Sequence, residues 1–272
     1  MNLWKNTPTL DDYLPHKDYC VDPSEAEIAI VGGKAIDLDR MPKLRGIFKC
    51  GVGVDNIPFE QAKTRNIEIC LPSETTRRII FAETAHYTVY LILKMLYRST
   101  GDLETWTKVP RESLSKKNVL IIGTGNIGRI VANALKPILT VDTYDALENQ
   151  PQELENKIRA ADAISLHIPL NNLTRNFIDA QKIAWMRSGA ALINTARGPI
   201  VNEDALLKAI SERHIVAAFD VFWKEPYKGP LHIYHPDAFF MSPHISSNST
   251  EFLQGLAEDF QKFENSLTSK TP

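Results

Sequence analysis

The chain has 272 residues, 43% of them hydrophobic, enough for one large or two ordinary domains with real cores. Against 33 Asp and Glu stand 31 Lys and Arg, giving a net charge of −2 with both signs interspersed, which leaves no basic footprint for nucleic acid or an anionic membrane. The cysteines Cys20, Cys50 and Cys70 form no CxxC or Cys/His spacing, so no metal site is expected, and they read as reduced thiols of a soluble, cytoplasmic protein.

The opening "MNLWKNTPTLDDYL" lacks the basic-then-apolar layout of a secretion signal, and no membrane span is expected. After this irregular start, "EIAIVGG" (27–33) predicts a short buried strand stopped by two glycines. "LRGIFKCGVGVDNIP" (44–58) predicts a second strand running into a glycine-rich turn. A helix "FEQAKTRN", a strand "IEICLP" and a long helix from about 78 to 97 follow. Such alternation indicates parallel βαβ units.

The alternation restarts after a polar excursion over 98–118. "VLIIG" (119–123) is a continuous apolar strand, the pattern of a parallel sheet covered on both faces. Further strands are predicted at 139–144, 162–168, 190–194, 215–219 and 238–241, with helices between most of them. The tail "STEFLQGLAEDFQKFENSL" places Phe252, Leu256, Phe260 and Phe263 at helical spacing, which predicts a helix packed back on the first domain.

"GTGNIG" (123–128) forms a GxGxxG pattern through Gly123, Gly125 and Gly128, at the end of a strand and the start of the helix "NIGRIVANAL". Gly123 permits the tight turn, Gly125 lets backbone approach a pyrophosphate, and Gly128 lets helix and strand pack closely. The helix start at Asn126 and Ile127 offers backbone N–H groups and a partial positive charge to phosphates. "VDTYD" then places Asp145, 17 residues beyond Gly128, where an acid takes adenosine ribose hydroxyls; Asp142, inside the strand, is a rival. Ala146, Leu147 and Glu148 follow Asp145 with no adjacent cation, so a 2′-phosphate meets repulsion and NAD is favoured over NADP. A structural glycine turn with an incidental acid is the competing reading.

Three polar residues each follow an apolar strand: Arg197 after "ALINTA", Glu225 in "AAFDVFWKEP", His244 in "FFMSPHISS". In a parallel sheet, ligands bind beyond the carboxyl ends of the strands, so these residues share an edge with the glycine loop. Their chemistries complement one another. Histidine suits proton transfer from a secondary alcohol, a carboxylate orients the imidazole, and a guanidinium grips a substrate carboxylate bidentately. Singly, each has a bland alternative as a solvated or capping residue. His167, ending the strand "ISLH", rivals His244 as the acid/base, so the residues by themselves leave the proton carrier open.

"VLIIGTGNIGR", "SLHIPLNNLTRNFID", "MRSGAALINTARGPIVNEDAL", "AAFDVFWKEP" and "SPHIS" occur in the order and near the spacings of the D-isomer-specific 2-hydroxyacid dehydrogenases, which the chain resembles over about 27–250. "GVGVDNIP" and "FAETAHYTVYLIL" resemble earlier blocks of that family, and the similarity extends to phosphoglycerate dehydrogenases. The resemblance implies an α/β fold of two doubly wound parallel-sheet domains. A reduced, flavodoxin-like substrate domain would occupy 1–97 and be completed by a helix in 248–272, with a Rossmann NAD-binding domain at 98–247.

The same resemblance assigns Arg197 to the substrate carboxylate, Glu225 to the carboxylate partner and His244 to the acid/base. It assigns Asp220 to the nicotinamide amide, with His167, Pro169, Thr174, Thr195 and Ala196 also on the cofactor, and Gly33, Lys34, Gly53 and Val54 on the substrate. It implies hydride transfer between NAD and a small D-2-hydroxy or 2-keto acid, in a homodimer joined through the cofactor domain. Three departures stand out. The first 26 residues leave little room for an initial strand and helix, Gly32-Gly33-Lys34 replaces an Arg-Ser often found in phosphoglycerate dehydrogenases, and "PSETTRRIIFAE" is longer than usual. A cofactor-binding regulator without turnover is the rival function, favoured by the short first domain and opposed by the Arg/Glu/His set.

Overall fold

The computed structural model describes residues 1–98 and 101–269. Contacts divide the chain into two units, one formed by Met1–Ile80 with Asn248–Pro272 and the other by Phe81–Ser247.

The first unit is built on four parallel strands, β1 (Leu3–Lys5), β2 (Ile28–Val31), β3 (Gly46–Lys49) and β4 (Glu68–Cys70), lying side by side in chain order. β1 lies within the first 26 residues, where little room for an initial strand and helix is expected. Its three residues "LWK" carry too little pattern to read alone and become a strand by pairing with β2, Leu3 opposite Ile28. Helix α1 (Phe59–Thr64) connects β3 to β4.

α2 spans Glu74–Leu96 and α7, the last helix, spans Thr250–Ser269. As the spacing predicts, α7 buries Phe252, Leu256, Phe260 and Phe263, and Phe260 meets Phe48 of β3 edge to face at 5.4 Å. Asp259, also buried on α7, accepts hydrogen bonds from the Ser73 N–H at 2.8 Å and the Thr76 hydroxyl at 2.7 Å, so the C-terminal helix supplies an anionic cap to the start of α2.

The division between units falls inside α2, at Ile80/Phe81, rather than in the polar stretch after it. The physical reason is packing: Ala85, Leu91, Ile92 and Met95 bury against Val119, Ile121 and Ile193 of the second unit. By length and composition α2 could also cross a membrane, with 23 residues and a mean hydropathy of 1.3. In this structure those apolar side chains complete a core.

The second unit holds six parallel strands: β5 (Asn118–Ile122), β6 (Thr140–Tyr144), β7 (Ala163–Leu166), β8 (Ala191–Asn194), β9 (Val216–Phe219) and β10 (Phe239–Met241). Each falls where the apolar runs predict it. Helices α3 (Asn126–Leu135), α4 (Glu153–Ala160), α5 (Ala180–Trp185) and α6 (Glu203–Ser211) intervene. The sheet order is β10-β9-β8-β7-β5-β6, so the chain moves outward from β5 to β6 and then crosses to the other side of β5. That reversal opens a crevice at the carboxyl end of β5, where ligands of such sheets bind.

Candidate active site

β5 is apolar on both faces and buried throughout Val119–Ile122, which fixes where the following turn emerges. Gly123 makes that turn at φ +96°, and a side chain on it would strike the His167 carbonyl. A side chain on Gly128 would strike the Gly123 carbonyl, so α3 packs directly on the turn. Gly125 faces open space, with no atom within 4 Å of where its side chain would be, and no side chain caps the start of α3. Asn126 is exposed there and Ile127 is half-buried. The first-turn N–H groups and the open glycine face together form a cradle that fits a dinucleotide pyrophosphate.

Asp145 follows β6, and its carboxyl is held below the usual range chiefly by hydrogen bonds from the Thr124 and Leu147 N–H groups. Asp142, the rival acid, is paired with Lys157 at 2.8 Å.

His167 follows β7. Its Nε2 lies 2.9 Å from the Ser165 hydroxyl, and burial pushes its pKa down to about 4. Burial disfavours the imidazolium that taking up a proton would form, whereas a ring beside a carboxylate has that charge stabilised. Pro169 and Thr174 close the next loop, the Thr174 hydroxyl donating to the Pro169 carbonyl at 2.6 Å.

β8 ends in Asn194, which is fully buried and staples the turn beyond it. Its side chain accepts from the Ala196 N–H at 3.0 Å and donates to the Arg197 carbonyl at 2.9 Å. Thr195 is buried with its hydroxyl 2.8 Å from that of Thr88. Arg197 is therefore presented by a fixed turn, its Nη1 donating to the Ala196 carbonyl at 2.8 Å. Gly198 packs against the Phe222 and Trp223 backbone, leaving no room for a side chain and bringing the Arg197 turn against the loop that carries Glu225.

Glu225 and His244 meet: Glu225 Oε2 lies 2.9 Å from His244 Nδ1, and Oε1 accepts from the Phe222 N–H at 3.1 Å. Burial pushes the Glu225 carboxyl up, but the His244 hydrogen bond and charge, the Phe222 N–H and the Arg197 charge outweigh it and leave the net pKa lowered. Since a carboxylate only accepts, the contact requires a proton on Nδ1 and leaves Nε2 for a reacting group.

His244 itself has φ +55°, a left-handed conformation uncommon outside glycine. Asp220 holds it there. Its carboxylate accepts from the Ser242 hydroxyl at 2.6 Å, the Ile245 N–H at 2.9 Å and the Ser246 N–H at 2.9 Å, so the donors bracket His244. Asp220 is fully buried, and its carboxylate ties the loop that carries His244 to the end of β9.

In the first unit, Gly33 and Lys34 are exposed beyond β2, while Gly53 and Val54 lie beyond β3. The Lys34 carbonyl accepts from the Asn56 side chain at 2.6 Å. Lys49, unremarked in the sequence, is buried at the end of β3 and donates to the Gly32 carbonyl and to Asn56 Oδ1. Asn194, Ser242, Thr124 and Lys49 were the residues that sequence reasoning missed; only polarity at the end of an apolar strand marked them. Among the described residues, no three His, Cys, Asp or Glu side chains converge as a metal site.

Residues 94–246 match the model of the D-isomer specific 2-hydroxyacid dehydrogenase NAD binding domain. The chain is 31% identical over 234 residues to the (S)-sulfolactate dehydrogenase of Chromohalobacter salexigens, covering 79% of this chain and 74% of that protein. It is 30% identical over 244 residues to the glyoxylate reductase of Thermofilum pendens, covering 81% and 71%. Its fold is similar to that of a D-lactate dehydrogenase from Aquifex aeolicus solved with NAD and lactic acid, with a TM-score of 0.81 over 99% of this chain and 96% of that one. At 23% identity, that last likeness speaks for the fold alone.

Proposed function

The chain belongs to the D-isomer-specific 2-hydroxyacid dehydrogenase family and is an NAD-dependent enzyme of that class, and from this premise we propose that it interconverts a small D-2-hydroxy acid and its 2-keto acid. His244 is the acid/base, Glu225 its partner, and Arg197 the residue that grips the substrate carboxylate. The observation that carries this reading is the 2.9 Å His244–Glu225 pair, with Arg197 near enough to stabilise the Glu225 charge, at the same sheet edge as the glycine loop.

The Gly123–Gly128 turn, the α3 N-terminus and Asp145 would hold the dinucleotide, whose chemistry there would be exchange of the C2 hydride. In the oxidative direction neutral His244 takes the hydroxyl proton at Nε2, and the imidazolium formed is stabilised through Nδ1–H by Glu225. In reduction the same Nε2–H gives its proton to the carbonyl oxygen. Arg197, on the turn stapled by Asn194, fixes the carbon that reacts by holding the neighbouring carboxylate.

The test is a panel of 2-keto acids, including pyruvate, glyoxylate and the keto form of sulfolactate, followed by NADH absorbance. Turnover of any member supports the reading. NADH binding with no turnover across the panel favours a regulator that keeps the fold.

We also propose a homodimer joined through the cofactor unit. Leu103, Trp106 and Val109 are exposed to 82%, 78% and 48% on the segment after α2, apolar side chains that a second copy would cover. Light scattering of the wild-type protein and of Trp106→Glu tests it, a dimer in the first and a monomer in the second being the expected result. The free thiols of Cys20, Cys50 and Cys70 support a reducing, cytoplasmic location.

A further inference from the structure

Thr124, between the first two glycines of the loop, aims both of its donors at one oxygen of Asp145. Its backbone N–H and its hydroxyl each lie 2.9 Å from Oδ2. The other oxygen, Oδ1, accepts from the Leu147 N–H at 3.1 Å, and the Asp145 N–H donates to Asn149 Oδ1 at 3.0 Å. The acid at the end of β6 is thus tied to the glycine loop, 21 residues earlier in the chain, instead of rotating in solvent.

We propose that Thr124 is a positioning residue for cofactor choice: its hydroxyl holds the Asp145 carboxylate where it accepts a ribose hydroxyl of NAD and repels a 2′-phosphate. This rests on the NAD dependence established above and on Asp145 as the ribose acid. A carboxylate has about four acceptor sites on its two oxygens. Three are filled by the chain itself, which leaves room for a ribose hydroxyl while the orientation stays set.

Held this way, the carboxylate cannot swing aside to relieve repulsion from a second anion, and repulsion that cannot be relieved discriminates. The hydrogen bonds from Thr124 also favour the charged form, so the repelling charge is present across the neutral range. A purely structural loop threonine would need only its backbone N–H, which any residue provides. The hydroxyl is the part specific to this side chain.

The experiment measures dissociation constants for NADH and NADPH by nucleotide fluorescence, so it does not depend on finding the substrate. The proteins are wild type, Thr124→Val, Thr124→Ser, Asp145→Ala and the Thr124→Val/Asp145→Ala double variant. Thr124→Val keeps the branched shape and loses the hydroxyl. Its preference for NADH over NADPH should fall about tenfold, the worth of one hydrogen bond to a charged group, and Thr124→Ser should retain the wild-type preference. In the Asp145→Ala background Thr124→Val should change nothing further, because the hydroxyl has no carboxylate left to hold.

Wild-type preference in Thr124→Val, or an equal loss in the Asp145→Ala background, overturns the proposal. Unchanged preference in Asp145→Ala would show that the acid does not choose the cofactor. The proposal would fall with it, while NAD binding by the glycine loop would stand.

Discussion

His244 Nδ1 and Glu225 Oε2 lie 2.9 Å apart although 19 residues separate them, because β10 and β9 are adjacent parallel strands whose following loops emerge at one edge. The pair sets the tautomer, and the tautomer sets which nitrogen meets substrate. His244→Ala should therefore lower kcat by about 10² to 10⁴, the usual share of a positioned acid/base, with NADH affinity unchanged. Stopped-flow binding and steady-state rates measured on the same preparation check this. If His167→Ala gives that profile and His244→Ala does not, the proton belongs to the β7 end.

Arg197→Lys keeps the charge and loses the planar two-donor fork. KM for the keto acid should rise and kcat should fall together, because a loosely held carboxylate misplaces C2 as well as weakening binding. NADH affinity should hold. A surface arginine would instead tolerate lysine with stability shifted by under about 1 kcal/mol and kinetics intact. Wild-type kinetics would remove the carboxylate clamp.

Asp220 acts through the loop it holds. Asp220→Asn places an N–H₂ where three donors converge, and it should cost about 1–3 kcal/mol of stability in urea unfolding, the penalty for unpaired buried donors. Ser242→Ala removes the 2.6 Å hydroxyl contact to Asp220, together with the Ser242 contact to Tyr87, and leaves both backbone bonds to Asp220 in place. In that milder variant kcat should fall about three- to tenfold with KM for NADH unchanged, as the His244 loop loosens. Full kcat in Ser242→Ala would show that the backbone bonds suffice.

His167 makes stability depend on pH. Below pH 6.5 the unfolded chain binds a proton on this ring, while burial keeps the folded chain from doing so until about pH 4. The unfolded state therefore holds more protons within that window, so stability falls as pH drops through it and levels off beneath it. His167 as a whole residue is half-buried, so the loss should be about 1–3 kcal/mol between pH 7 and pH 4. Urea unfolding of wild type and His167→Asn at both pH values checks it. The pH-dependent part attributable to this site should vanish in the variant.

Local pattern by itself determined the six strands from β5 to β10, the glycine turn and the buried face of α7. A strand covered on both sides must be apolar throughout, a pyrophosphate turn needs glycine, and a docked helix repeats its apolar residues at helical spacing. Sequence also placed Arg197, Glu225 and His244 just past strand ends. The tertiary structure alone decided the rest. β1 became a strand because β2 lay beside it, and α2 was shared between two units because its second half found the larger sheet. His167 was set apart from His244 by what surrounds each ring: a buried hydroxyl in one case, a carboxylate in the other. Asp220, Ser242, Asn194 and Thr124 gained their roles from partners on other loops or on the same turn, in contacts that no spacing along the chain announces. Hydrogen-bond partnership between loops depends on which strands become neighbours, and here that neighbourhood is settled by the crossover order of the whole sheet.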